Sequence, residues 1–181
     1  MGAKNGTKME GFERIRSLYQ DPFAAVKAMG VSDGLRVADV GAGHGYLTIP
    51  SAVVVGRKGF VYAIEPQATR SDAIRRRVAQ EGLSNVKVLT TTAEKMAEVP
   101  SGDVDLAFSA FSAHHFGDRV AALGEIRRIL RDGGSFYVWD RMPNLIMKHG
   151  TRQDELEAMQ SGFSKFESLS TKRTARGKFT K

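Results

Sequence analysis

Residues 37–49 read VADVGAGHGYLTI: an apolar run broken by one acid, three glycines at alternate positions, then apolar residues again. Glycine loses more backbone freedom on folding than any other residue, so three within five positions need a reason. The loop 41–45 joins a strand to a helix that starts near Gly45. A helix N-terminus offers unpaired N–H groups and a partial positive charge, which suit a carboxylate or phosphate. A tight turn with close strand–helix packing is satisfied by one or two glycines. The third argues for a ligand that must approach the backbone.

Outward from this loop, two periods alternate along the 181-residue chain. LRVADV (35–40), GFVYAIE (59–65), NVKVLT (85–90), VDLAFSA (104–110) and SFYVWD (135–140) are short, β-branched or aromatic runs that read as buried strands. Between them lie helix-length segments. Asp21-Pro22 opens one that stops at Gly30, with cap, first-turn proline and terminal glycine in the expected order. Others are expected over 45–55, 68–81 and 118–130, the last with Val120, Leu123, Ile126 and Leu130 on one face and Gly133-Gly134 as the turn beyond. Thr151 and Asp154 form a capping-box pattern for a further helix ending near Gly162. In the tail, Phe163, Phe166 and Leu169 suggest a strand, and GKFTK a short antiparallel partner. Repeated strand–helix alternation predicts an α/β fold, a doubly wound, mainly parallel sheet with helices on both faces. The chain reads as a single domain over 1–181, with an N-terminal arm (1–20) and a basic C-terminal strand or hairpin (163–181).

Open α/β sheets bind ligands beyond the carboxyl ends of their strands, so the loops after Asp39, Glu65, Thr90, Ser109 and Asp140 are where function is sought. A dinucleotide fingerprint would read G-x-G-x-x-G, but Tyr46 stands where its last glycine belongs. Asp39, two residues before the loop, would repel a pyrophosphate. It suits a ligand that carries a cationic amino group beside a carboxylate, such as the amino-acid head of S-adenosylmethionine. Glu65 ends the second strand, 20 residues beyond Gly45, where a carboxylate usually partners ribose hydroxyls.

VADVGAGHG, YAIEP, TTAEKM, DVDLAFSAFSAHHF and EIRRILRDGGSFYVWD, in that order over residues 20–140, resemble the motif series of class I S-adenosylmethionine-dependent methyltransferases. The likeness is greatest to the group related to the ubiquinone/menaquinone-biosynthesis methyltransferases. The resemblance implies a Rossmann-like fold closing with an antiparallel strand near the C-terminus. It also implies S-adenosylmethionine as cofactor and methyl transfer to a small-molecule acceptor. It places Gly41, Ala42, Gly43 and Gly45 along the methionine portion, with Asp39 near the amino group and Glu65, followed by Pro66, on the ribose. Ser109, Ala110 and Phe111 would edge the pocket near the sulfonium. After strand three the family often has Asp-Ala, whereas this chain has Thr92-Ala93-Glu94. The Ala93 backbone still suits the adenine ring, while its amino group is left to Thr92, to Glu94 or to neither, and Glu94 alternatively supports the next helical turn.

His114 and His115 are the candidate general bases on the acceptor side, because histidine titrates near neutrality. The alternative is that they cap or pack the following helix. Adjacent residues diverge too widely to grip one ion, and no metal is expected. Tyr46 either closes over the cofactor or packs between helix and sheet. Trp139 reads as core. The segment RMPNLIMKHG (141–150) is either an apolar substrate lid, through Leu145, Ile146 and Met147, or a packing edge.

The chain carries no cysteine, which excludes a cysteine nucleophile and fits a reducing cytoplasm. The start MGAKNGTKMEGFERIR lacks the apolar core of a signal peptide, and no stretch has the length of a membrane span, so a cytoplasmic protein without membrane insertion is expected. The net charge of +7 is concentrated in Arg75–Arg77 and in six Lys/Arg against one acid over 165–181. Such patches attract phosphates, so an RNA methyltransferase using the basic tail is one alternative function. A non-catalytic S-adenosylmethionine-binding module is the other. A strand-four N-P-P-Y sequence, the mark of one class of nucleic-acid amino-methylating enzymes, is absent.

Overall fold

Four consecutive buried runs with parallel register define the centre of the molecule. A computed structural model describes residues 21–141, 150–160, 162–170 and 174–181; the expected N-terminal arm (1–20) and the Leu145–Met147 segment lie outside them. The strands are β1 (Arg36–Val40), β2 (Phe60–Ile64), β3 (Val86–Leu89), β4 (Val104–Ala110), β5 (Leu130–Arg141), β6 (Lys165–Ser168) and β7 (Thr174–Thr180). The helices are α1 (Pro22–Ala28), α2 (Thr48–Val55), α3 (Ala68–Gln80), α4 (Arg119–Ile129) and α5 (Gln153–Ala158), with a 3₁₀ turn at Ala113–His115. The sheet order is β3-β2-β1-β4-β5-β7-β6, parallel through β5, with β7 antiparallel to both β5 and β6. The chain reverses direction across the sheet between β1 and β4. That switch point opens a crevice at their carboxyl ends.

Alternation along each strand feeds two cores. On one face Tyr62, Ile64, Ala107, Phe136 and Val138 meet α4 through Ala122, Ile126 and Ile129, and α5 through Leu156. On the other, Val37, Val61, Leu106 and Phe108 meet α1 and α2 through Val26, Ala52 and Val55, while Ile74 of α3 packs on Ala42 and Ala63. Asp21 caps α1 as expected, accepting from Phe23 N at 2.8 Å.

Several boundaries differ from the sequence reading for physical reasons. Helix α2 begins at Thr48 rather than Gly45, because Gly45 sits at φ 79 and belongs to the turn. The buried face of α4 is Ala122–Ile126–Ile129, and Val120 is 83% exposed. Leu130 is already strand, and Gly133-Gly134 lie inside β5, where the β4–β5 register shifts, rather than in a separating turn. Thr151 does not cap α5: its hydroxyl donates to Asp140 at 2.9 Å, and Glu155 accepts from the Arg152 N–H instead. The last strand has seven residues, not the short GKFTK. It is central to the C-terminal edge, with Phe179 fully buried between Phe136 and Phe166.

The amino end of the sheet is laced by charge. The Arg36 guanidinium donates to Asp103 at 2.5 Å and to the Tyr62 hydroxyl at 2.9 Å, and that hydroxyl donates to Asp103 at 2.7 Å. Burial alone would raise the Asp103 pKa, but Arg36 and Tyr62 outweigh it and hold it below the ordinary carboxylate value. A depressed carboxylate stabilises the fold above its unfolded pKa and loses that contribution as the pH falls through the folded one. Asp103→Asn is therefore expected to cost about 1 kcal/mol at neutral pH, limited by the exposure of Arg36. Urea denaturation at neutral pH and near pH 3 checks this: the variant and the parent should converge in acid.

Candidate active site

The crevice at the switch point is a cavity of about 1060 Å³, at the top of the range typical for small-molecule sites. Its walls come from the loops singled out by the sequence. Asp39, Gly41, Ala42, Gly43, Glu65, Pro66, Thr92, Ala93, Glu94, Ala110 and His115 all line it. His44, Tyr46, Phe111, Ser112 and Phe116 join them. Three expected members do not. Ser109 is fully buried beneath the wall, its hydroxyl 2.7 Å from that of Ser112. Gly45 faces helix α3, where a Cβ would lie 3.3 Å from Ile74. His114 also stands outside the wall, its ring centroid 3.9 Å from that of His115 with the planes tilted by 46°.

The three glycines thus have three different reasons. Gly41 (φ 83) is where the loop after β4 crosses the loop after β1, and a Cβ there would collide with the Ser112 side chain. Gly45 permits close helix packing. Gly43 (φ 60) has no protein atom within 4 Å of where its Cβ would stand, so no packing within the chain requires its bareness; that space belongs to the cavity.

Around the loop the polar groups are already organised. Glu65, only 3% exposed, accepts from Gly43 N at 2.9 Å and from Gln67 N at 3.0 Å, which holds its carboxylate across the glycine loop. Asp39, buried to the same degree, accepts from the Thr48 hydroxyl at 2.7 Å. Burial, seconded by Arg70, lowers the His44 pKa below the usual histidine value, with Glu65 opposing. Glu94 accepts from Gly117 N at 2.8 Å and Asp118 N at 3.1 Å, so it clasps the loop that precedes α4 rather than its own following turn. Burial would raise its pKa, but hydrogen bonds from Thr92 and from these backbone groups prevail and lower it.

The loop after β4 is held from below. Ser112 Oγ donates to Val40 O at 2.9 Å, and Phe111, among the described residues the one non-glycine with positive φ (57), donates its N–H to Trp139 O at 2.7 Å. Trp139 is buried, as its sequence position suggested, and Tyr46 packs partly against the same core while lining the cavity. Sequence reasoning missed Ser112, Asp140 and Thr151, whose pairings join segments far apart in the chain. No three metal-ligating side chains cluster among the described residues.

The basic patches are largely engaged within the fold. Arg75 binds Asp72, Thr90 and Val88 O, Arg77 donates to His44 O, Lys181 donates to Leu130 O, and the Arg176 guanidinium lies 4.2 Å above the Trp139 ring. Lys172 and Arg173 lie outside the described residues. No helix among the described residues is long and apolar enough to cross a membrane.

Because a Cβ on Gly41 meets the Ser112 side chain, Gly41→Ala is expected to destabilise by about 1–3 kcal/mol through overpacking and backbone strain. Ser112→Gly in the same chain should recover part of that loss. A double-mutant cycle by thermal or urea denaturation measures the coupling.

Residues 37–134, more than half of the chain, match a family described as a methyltransferase domain. The ubiquinone/menaquinone biosynthesis C-methyltransferase of Shewanella oneidensis is 29% identical over 114 residues, which are 62% of this chain and 45% of that protein. The chain thus spans less than half the length of the curated relatives it matches. A solved S-adenosylmethionine-dependent methyltransferase from Aquifex aeolicus superposes with a TM-score of 0.78 at 25% identity, covering 96% of this chain and 97% of that one. An arsenic(III) S-adenosylmethionine methyltransferase from Chlamydomonas reinhardtii shares the fold, with a TM-score of 0.68 at 18% identity over 83% of this chain and 64% of that one. Glycine loop, strand-two acid, sheet order and sequence match agree: the chain belongs to the methyltransferase-domain family.

Proposed function

We propose that this methyltransferase acts on a small-molecule acceptor, with the cofactor lying across the glycine loop. The observation that carries the cofactor placement is Gly43: its missing Cβ opens onto the cavity, opposite the buried Glu65 carboxylate, in a cradle that any side chain would fill. In this reading Asp39 takes the amino group of the methionine head and the Gly41–Gly43 backbone runs beside it. Glu65 takes the ribose hydroxyls, with Pro66 next to it, and Ala93 with Thr92 borders the adenine. Glu94, committed to Gly117 and Asp118, serves the adenine end as a clasp on the wall. Ala110 borders the reacting end. Gly45 and Ser109 support the wall from behind.

The bound cofactor supplies a methyl group already activated by a sulfonium. What the chain must add is orientation, which can contribute about 7–11 kcal/mol when two reactants are held in line. Support for a small acceptor comes from the concave cavity and from the relatives named for a small-molecule pathway. Arg75, Arg77, Arg176 and Lys181 each make a contact within the fold, which orients part of the basic surface toward the protein itself.

Titration calorimetry with S-adenosylmethionine and S-adenosylhomocysteine tests the placement. Both should bind the parent chain. Glu65→Ala should weaken binding about 10–100-fold, the worth of one or two charge-assisted hydrogen bonds. Gly43→Asn, which tolerates the left-handed backbone but projects a side chain into the cavity, should weaken it by at least as much. Unaltered affinity in both variants would refute the assignment.

A further inference from the structure

Two buried hydrogen-bond donors near the carboxyl end of β5 have no acceptor. The indole N–H of Trp139, a residue 7% exposed, and Nε of Arg176 are both sealed from solvent and make no hydrogen bond among the described residues. Folded chains rarely leave such groups unmet, because each gives up its hydration without a replacement. The two stand together: the Arg176 guanidinium lies 4.2 Å above the Trp139 ring. Stacking on the ring face answers the charge in part but provides no acceptor for the N–H groups of the fork. Among the described residues Arg176 makes no ion pair either.

Register places this pair beside the cavity. Ala110, Trp139 and Arg176 are aligned across β4, β5 and β7, so their side chains share one face of the sheet. At about 4.8 Å per strand, Arg176 stands roughly 10 Å from the cavity wall at Ala110. Phe111 bridges that gap: it lines the cavity, and its ring lies 5.5 Å from the Trp139 ring with the planes tilted by 43°. The Phe111 backbone, at φ 57, is held by its N–H bond to Trp139 O at 2.7 Å, a conformation that bulky residues keep only where their surroundings over-determine it. Tyr137 and Lys178 share the face with Trp139 and Arg176, and Glu167 of β6 is in register with Lys178. Burial holds the Tyr137 hydroxyl above its usual pKa, with Arg176 opposing and Glu167 seconding it.

We propose that Arg176 and Trp139 form a subsite for a carboxylate carried by the methyl acceptor, with the Phe111 and Trp139 rings as the wall between that carboxylate and the reacting end. This rests on the cofactor placement proposed above. It assigns the acceptor class: an elongated aromatic acid rather than a neutral molecule of the same shape. The carboxylate accepts from the Arg176 fork and from the indole N–H, which supplies the acceptors that both donors lack. Arg176 as a whole is half-buried, so a small slide of its guanidinium along the Trp139 ring opens both donors to the ligand. A fork already stacked on a ring has little side-chain freedom left to lose on binding. Glu167, close enough to act on Tyr137, makes a doubly charged phosphate the poorer match.

Trp139 is the sole tryptophan of the chain, so its fluorescence reports on the subsite directly. The parent chain is titrated, with and without S-adenosylhomocysteine, with phenylacetate and 3-phenylpropionate, with their primary amides, and with phenyl phosphate. Both acids should shift the Trp139 emission and bind at least about 10-fold more tightly than their amides, the worth of a charge-assisted hydrogen bond. Arg176→Gln should abolish that preference, and Arg176→Lys, which keeps the charge, should retain part of it. S-adenosylhomocysteine affinity by calorimetry should be the same in Arg176→Gln as in the parent, because the bonds to Ser170 run through the Arg176 backbone N–H and C=O and survive the substitution. Amides bound as tightly as the acids, a preference for acids that survives in Arg176→Gln, or phenyl phosphate bound more tightly than both acids would overturn the proposal. S-adenosylhomocysteine binding without any preference for acids sinks the subsite alone. Failure of S-adenosylhomocysteine to bind the parent chain sinks the cofactor placement, and with it the assignment of the bound acid as acceptor.

Discussion

The crossing of two loops over the centre of the sheet is the constraint on which the site depends. Strands β1 and β4 are neighbours, and their exit loops must leave the sheet without colliding. At the crossing, Gly41 contributes no side chain, and Ser112 fills the space while donating to Val40 O at 2.9 Å. Ser109, fully buried below, closes the chain of hydroxyls at 2.7 Å. One loop is thereby pinned to the other, and the two ends of the cavity take fixed places about the pin. The cavity wall is built from the exits of β1, β2, β3 and β4.

These two ends are made of different materials. At the glycine loop the exposed polar groups are mostly backbone, bared by glycine and oriented by Glu65 through the Gly43 and Gln67 N–H groups. Such a surface is defined by residues close together in sequence, so VADVGAGHG and the acid 20 residues beyond it were readable without a structure. The strand pattern was readable for the same reason, because parallel, doubly covered strands show as continuous apolar runs. Even so, the three glycines looked equivalent in sequence and are not. Only contact geometry separates the one that faces open cavity from the two that face protein.

At the ends of β4 and β5 the organisation is long-range. Asp140 meets His114 across 26 residues, and Thr151 meets Asp140 across 11. In sequence Asp140 is merely the polar residue that ends a strand, and Thr151 reads more naturally as a helix cap than as a donor to a buried carboxylate. The strand-to-helix edge failed for a related reason. A face drawn through Val120 and Leu130 follows helical spacing, but the chain leaves the helix one residue earlier, and Val120 points to solvent. Periodicity carries no information about where the neighbouring strand demands the next residue.

This division has a chemical sense. The methyl donor is constant across the family, so its binding reduces to a local loop-and-acid pattern on a rigid switch point. The acceptor differs from enzyme to enzyme, and recognition of it is written on loops whose partners are assembled only by folding. The buried Asp140 carboxylate is tolerated at the end of β5 because the His114 ring, the His114 N–H and the Thr151 hydroxyl all donate to it. Long-range pairing of this kind is set by which side chain stands at the end of each strand, and no local motif announces it.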